Sequence, residues 1–409
     1  MLTWPKLGAD DSSATARRRS SAVKSPTIVG ARPRVDSVDL LRGIVMALMA
    51  LDHTRDFFTV SGWNPRDVTD PALFLTRWIT HFCAPTFMLL AGLAAYLYGA
   101  RERSVSEISR FLVTRGFLLI LLEFTLVRVA WTFSFGFDEL TAGVIWAIGA
   151  SMIALAALVY LPRAAIAAVA VGLMAGHNLL DGVRAGDVGS ASWIWHLLHQ
   201  PGLMQLSNGA TVFVLYPIIP WIGVMAAGYA LGPVMELDAE VRHRWLLRLG
   251  GAITAAFVLL RATNLYGDPA PWTMQETGFA TVLSFLNCEK YPPSLVFLMM
   301  TLGPAVMLLA VLENMRGRLA QWLTTFGRVP LFFYVTHIYL IHGLALGFAL
   351  VAHPHLSRSG FVSPDETAIA LGLPGVYVVW LCVLILLYPL CRWFAEIKRA
   401  RTAPWWSYL

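Results

Sequence analysis

Arg34-Val-Asp-Ser-Val-Asp-Leu-Leu-Arg-Gly-Ile-Val-Met-Ala-Leu-Met-Ala-Leu-Asp52-His53-Thr-Arg55-Asp56 decides how this chain folds. It opens as a basic, polar approach to a membrane, becomes an apolar helix, and ends on an Asp-His pair followed by an Arg-Asp pair. Ionisable side chains cost roughly 2.5–3.5 kcal/mol each at membrane depth, so they tend to mark sites. The plainer reading is that Asp52 to Asp56 form the wet end of the helix. Later apolar segments carry polar groups at the same level, which favours a site.

Working outward, the composition sets the class. Hydrophobic residues make up 57% of the 409 and charged residues only 14%, against ~25% charged in soluble domains. The chain therefore reads as a polytopic membrane protein. Residues 1–35 contain Arg17, Arg18 and Arg19 and Ser/Ala runs without an apolar core, which predicts a disordered, basic cytoplasmic tail in place of a cleaved signal. Residues 36–409 form one transmembrane domain in this reading. Cys83, Cys288, Cys382 and Cys391 lack CxxC spacing, so neither a zinc site nor a disulfide framework follows from them. No metal is expected.

Apolar runs long enough to cross ~30 Å of hydrocarbon fall near 38–59, 72–99, 108–132, 141–161, 163–180, 211–235, 244–264, 291–313, 323–352 and 373–395. The fold expected is an all-α bundle of about ten transmembrane helices. Trp193 to Gln200 is too short to span. Arg101, Arg103 and Arg110, then Arg163, then Arg242, Arg244 and Arg248, then Arg316, Arg318 and Arg328 lie in alternate connections, while Asp138 and Glu139 occupy an opposite one. Basic loops stay inside, so both termini are expected in the cytoplasm. The net charge of +6 then reflects membrane anchoring and gives no reason to expect nucleic-acid binding.

That orientation gathers the ionisable groups at the outer level. Asp52, His53, Arg55 and Asp56 end the first span; Arg77 and His81 lie in the second, four apart on one face. Glu123 and Arg128 are in the third, Tyr216 opens the sixth, Arg261 and Asn264 end the seventh, and Lys290 and Tyr291 open the eighth. His337 and His342 lie in the ninth. Each has a bland reading: Arg128 as a snorkelling anchor, the histidines as hydrogen-bonding struts. His53 stands apart because acids flank it, a setting that tunes imidazole for general-base work. Adjacent helical residues do not face each other, so Asp56 or another helix is as able as Asp52 to orient it.

Several motifs together resemble one family. They are Ser37-Val-Asp39-Leu-Leu-Arg42-Gly43, Leu51-Asp52-His53-Thr-Arg55-Asp56, His81-Phe-Cys-Ala-Pro85-Thr-Phe87 and Tyr216-Pro-Ile-Ile-Pro220-Trp221-Ile-Gly223. Asn264-Leu-Tyr266-Gly267-Asp268-Pro269, Lys290-Tyr-Pro-Pro-Ser294, Phe326-Gly327-Arg328-Val-Pro330 and the terminal Trp405-Trp-Ser-Tyr-Leu409 complete the set. Over residues 34 to 409 the chain resembles bacterial membrane proteins grouped with the catalytic domain of heparan-α-glucosaminide N-acetyltransferase, within the transmembrane acyltransferase class. The resemblance implies cytoplasmic acetyl-CoA as acyl donor and an outward-facing glycan or amino-sugar acceptor. It places the acetyltransferases' catalytic histidine just after the first helix, where this chain reads Gly62-Trp63-Asn64.

The expectation is therefore an acetyltransferase of the bacterial inner membrane. His53 is the base, Asp52 or Asp56 its orienting acid, and His81 the second polar element. Arg55, Arg77, Tyr216, Arg261, Asn264, Lys290, Tyr291 and His337 face the acceptor. Arg42 and Arg328, at the cytoplasmic ends of their spans, receive CoA phosphates or serve as plain anchors. The partners expected are the bilayer, acyl-CoA and a polar acceptor, with a homodimer as the candidate assembly. The alternative is a proton-coupled transporter or flippase of a polar or glycan-linked substrate, because intramembrane Asp, Glu and His also build proton relays.

Overall fold

A computed structural model describes residues 36–58, 63–100, 103–352 and 371–401. The 1–35 tail, Gly62, Arg101, the loop around Pro354 and the Trp405–Leu409 motif lie outside the described residues.

The first quoted stretch forms one helix, α1 (Asp36–Phe58). Its neighbours are α2 (Pro71–Thr80), α3 (Cys83–Gly99), α12 (Leu295–Val311), α13 (Arg318–Arg328), α14 (Pro330–Ala352) and α15 (Gly372–Ala400). Enclosed in this way, α1 tolerates charges that a lipid-facing helix would not. The rest of the bundle is α4 (Val105–Leu122), α5 (Arg128–Thr132), α6 (Val144–Leu158), α7 (Arg163–Gly176), α8 (Ser192–Leu198), α9 (Ile219–Leu231), α10 (Ala239–Thr263) and α11 (Gly278–Leu286). Among the described residues six helices are long and apolar enough to cross a membrane: Pro71–Gly99, Arg163–Leu180, Ala239–Thr263, Leu295–Asn314, Pro330–Ala352 and Gly372–Ala400.

Local chemistry explains where the expected spans break. The 72–99 run is two helices, α2 and α3, with His81 and Phe82 between them; Asp70 caps α2 by accepting from the Leu73 amide at 3.1 Å, with Pro71 in its first turn. The 323–352 run also divides. Pro330 cannot donate a backbone hydrogen bond and disfavours helix in the residue before it, and Val329 leaves the helical region at φ −131°, ψ 53°. The 108–132 run is α4 and α5 joined by one π-helical turn, Glu123–Val127. That turn points Glu123 at the start of α6, where its carboxylate accepts the Trp146 amide at 3.0 Å.

The all-α expectation omits a small sheet. β1 (Glu139–Ala142) runs parallel to β3 (Thr211–Val214), and β2 (Gly202–Gln205) pairs antiparallel on the other side of β3. The apolar start of the 211–235 run is thus a strand, with Val212 and Val214 buried and Phe213 exposed. Such alternation marks a half-buried strand.

Backbone approach at glycine joins the helices in pairs. A Cβ on Gly43 would stand 1.8 Å from the Leu323 carbonyl oxygen of α13, and one on Gly327 equally close to that of Asp39 in α1. Reciprocal contacts of the same kind join α3 to α9 through Gly92 and Gly228, α4 to α6 through Gly116 and Gly149, and α10 to α12 through Gly250 and Gly303. Small residues at crossings are how helices gain packing in lipid, where burial of apolar surface offers little.

Candidate functional site

A chain of three groups sets the chemistry of His53. In α14, His337 is fully buried and its Nδ1 lies 3.0 Å from the Phe333 carbonyl oxygen. A carbonyl only accepts, so this nitrogen carries the proton. In a neutral ring Nε2 is then an acceptor, and it lies 2.7 Å from Nδ1 of His53. His53 therefore donates through Nδ1, which leaves the Nε2 lone pair with no hydrogen-bond partner among the described residues. Trp131 holds the His53 ring edge-on at 4.8 Å between centroids, and Tyr334 stands at 6.2 Å.

The carboxylates beside His53 face elsewhere. Asp52 Oδ1 accepts from Arg55 Nη2 at 2.7 Å and from the Thr80 hydroxyl at 2.7 Å. Asp56 takes the same Arg55 nitrogen at 2.9 Å. Neither makes the hydrogen bond to His53 that the sequence offered; His337 makes it instead. Arg55 is buried, and its Nη1 has no hydrogen-bond partner among the described residues.

His81 sits at the α2–α3 break, where its amide closes α2 against the Arg77 and Trp78 carbonyls. Its ring is buried against Phe297 at 5.3 Å, and neither nitrogen is hydrogen-bonded among the described residues. Lys290, in the turn before α12, is buried and close enough to act electrostatically on Asp52, His53 and His81. Burial opposes its charge, yet the Tyr291 hydroxyl and the Asp52 carboxylate outweigh burial and hold its pKa above the ordinary lysine value. Its Nζ lies 5.1 Å from the Tyr291 ring centroid. Tyr291 meets Tyr216 edge-to-face at 5.3 Å, with their hydroxyls 3.5 Å apart. Arg77, half-buried, adds a second positive charge that acts on both Asp52 and His81. Asp52, His53, Arg55, Arg77, His81, Lys290 and His337 thus form one neighbourhood, with Tyr291 and Tyr216 beside it.

Arg42 and Arg328 meet at the other end of α1. Arg42 Nη1 donates to Asp39 at 3.1 Å and to the Gly327 carbonyl at 3.1 Å. Arg328 is 44% exposed, with side-chain nitrogens 4.0 Å from Asp36 and from Asp39. From Arg42 to His53 the helix rises ~16 Å at 1.5 Å per residue. A group carrying phosphates at one end and a reactive carbon at the other would have to span about that length.

Arg261 and Asn264 are occupied by their own loop. Arg261 donates to the carbonyls of Phe285 at 3.0 Å, Ala270 at 2.9 Å and Asn287 at 3.0 Å. Asn264 exchanges two hydrogen bonds with the Trp272 backbone. His342, bonded to the Ala130 carbonyl at 2.8 Å and stacked on Phe133, is a strut. The sequence reading overlooked Thr80, whose only signal is its place before His81. It had no signal for the His53–His337 bond, which joins residues 284 apart.

Residues 34–265 match the family model described as heparan-alpha-glucosaminide N-acetyltransferase, catalytic. The match covers more than half of the chain and contains α1, α2 and α3, while Lys290 and His337 lie beyond it. No curated protein matches the chain.

Proposed function

Because the chain belongs to the heparan-alpha-glucosaminide N-acetyltransferase catalytic family, we propose that this integral membrane protein moves an acetyl group from cytoplasmic acetyl-CoA to an outward-facing hydroxyl or amine, on a glycan or amino sugar. The observation that carries the reading is the Phe333–His337–His53 chain, which leaves a lone pair on His53 Nε2.

In the proposed reaction His53 Nε2 takes the acceptor's proton as its oxygen or nitrogen bonds to the thioester carbonyl carbon. The C–S bond then breaks, and the proton passes from His53 to the CoA thiolate, which leaves as the thiol. His337 is a positioning residue that fixes tautomer and ring orientation. His81 and Lys290, polar and buried, are assigned to donate to the developing oxyanion, a donor arrangement of the kind that contributes most to acyl transfer. Asp52, held by Thr80 and Arg55, offsets the charge that His53 gains, with Asp56 beyond it. Arg77, Tyr216 and Tyr291 are assigned to the acceptor, while Arg261 and Asn264 support the loop beside it. Arg42 and Arg328 are assigned to the CoA phosphates.

This division of labour rests on a bacterial inner-membrane topology of ten spans with both termini cytoplasmic, as the arginine distribution favours. Reporter fusions after Glu139, His199 and Glu276 should read outside, and those after Arg103, Arg244 and Arg318 inside. The central experiment gives the purified protein radiolabelled acetyl-CoA with a panel of amino sugars and glycans. Acceptor-dependent release of CoA is expected, and its loss in His53→Ala. Flux of a polar solute in proteoliposomes without acyl-CoA, together with no transfer, would instead establish the transporter.

A further inference from the structure

Away from the His53 neighbourhood, three donors from two segments meet: His177 at the end of α7 with Asp181 four residues later, and His199 just beyond α8. Their donor atoms all lie within 4.8 Å of one another. His199 Nε2 is already 3.2 Å from Asp181 Oδ1. Tetrahedral bonds of 2.0–2.1 Å hold ligand atoms about 3.3 Å apart, so small side-chain rotations close the set.

Hydrogen bonding within the cluster does not account for it. His177 is 2% exposed and His199 3% exposed. Among the described residues neither ring nitrogen of His177 makes a well-formed hydrogen bond, and Nδ1 of His199 has no partner. The surroundings, in contrast, are held. Asn178 donates to Asp181 Oδ2 at 2.9 Å, which steadies the carboxylate and leaves Oδ1 toward His199. The Pro293 backbone lies close enough to act on His177, and a metal-bound imidazole normally donates its outward N–H to such an oxygen. Cysteine spacing predicts no metal site, but the donors here are imidazoles and a carboxylate, a set suited to zinc.

We propose that His177, Asp181 and His199 bind one divalent cation of the zinc class, with the fourth position open to water. The cation ties the ends of α7 and α8 together. Through Asn178, whose side-chain oxygen accepts the Leu295 amide at 2.9 Å, it also braces the start of α12, just after the turn that carries Lys290.

The test uses tag-free full-length protein in detergent, stripped with chelator and then titrated with Zn²⁺ and with Co²⁺. About one equivalent should bind, and Co²⁺ should give the intense visible bands of a tetrahedral site. His177→Ala and His199→Ala should each weaken binding at least ~10²-fold, and Asp181→Asn about tenfold, by comparison with the 10–100-fold that outer-shell changes alone cost. His53→Ala should bind normally. Zinc should raise the melting temperature of the wild type but not of His199→Gln, the milder variant kept in case alanine disturbs folding. Less than a tenth of an equivalent on the wild type, or equal binding by wild type and the His177→Ala/His199→Ala double variant, overturns the proposal.

Discussion

Two buried polar regions of this protein treat their arginines in opposite ways. In the 261–294 region, Arg261 spends its guanidinium on backbone carbonyls, and Asp268 accepts from the amides of Glu289 and Ala270 and from the Ser294 hydroxyl. Around His53, among the described residues, Arg55 leaves Nη1 without a partner, and His81 leaves both nitrogens without one. Both regions are buried, so burial alone does not separate scaffold from site. The charged groups differ in satisfaction: the Arg261 guanidinium and the Asp268 carboxylate are engaged in holding their loop, while the Arg55 guanidinium is left partly unpaired among the described residues, which costs stability unless a ligand completes it.

The comparison breaks first at Arg261. Arg261→Ala removes the partner of several buried carbonyls and of Asp268, 3.7 Å away. A loss of about 3–5 kcal/mol in unfolding stability is expected, the scale for breaking a buried ion pair. Chemical denaturation measures it, and the folded fraction should retain its turnover. A fall in turnover without loss of stability would move Arg261 from scaffold to site.

His53→Ala should do the reverse. Turnover falls at least ~10²-fold, the loss typical of a general base, with acetyl-CoA affinity and melting temperature nearly unchanged. His81→Ala, which removes an oxyanion donor, lowers kcat with little change in the acceptor KM, and a raised KM with kcat intact would move His81 to acceptor binding. Near wild-type turnover in His53→Ala with none in His81→Ala would exchange their roles.

Smaller effects separate the arginines at the opposite end of α1. Arg328→Ala should weaken acetyl-CoA binding by about 1–3 kcal/mol, the scale of a hydrogen bond to a charged group, and the wild-type affinity should fall with added salt. Unchanged titration calorimetry would leave Arg328 as an anchor. Arg42→Ala tests the same idea less cleanly, because Arg42 also ties α1 to the Gly327 carbonyl. Smallest of all, Asn264→Ala on its exposed loop should cost only about 1 kcal/mol of stability and leave the acceptor KM alone; a raised KM would return Asn264 to the acceptor.

How much of this was legible beforehand follows the range of the interactions. The stretch from Asp36 to Phe58 announces its helix by its apolar run and its site by the charges after Leu51, because both signals lie within one segment. The break at Val329 is readable in Pro330, since proline acts on its immediate neighbour. The strand at Thr211–Val214 was masked by the apolar helix that follows it, short apolar runs being ambiguous between strand and helix. The His53–His337 bond and the Arg261 clamp depend on which helices pack together. No local pattern encodes that, so the sequence offered acids for His53 where the fold supplies an imidazole.

The glycine crossings also decide what can move. Where backbone meets backbone, as between Gly43 and Leu323 or between Asp39 and Gly327, neither helix slides without a steric clash, so α1 and α13 behave as one stiff strut. A Cβ on Gly343 or Gly347 of α14 would meet nothing within 4 Å among the described residues, and α14 is separated from that strut by the interruption at Val329 and Pro330. His53 rides on the strut and His337 on the helix beyond the break. The 2.7 Å imidazole contact therefore joins two helices whose backbones are separated by the break at Val329 and Pro330, so a substitution at that joint acts on the base without touching it.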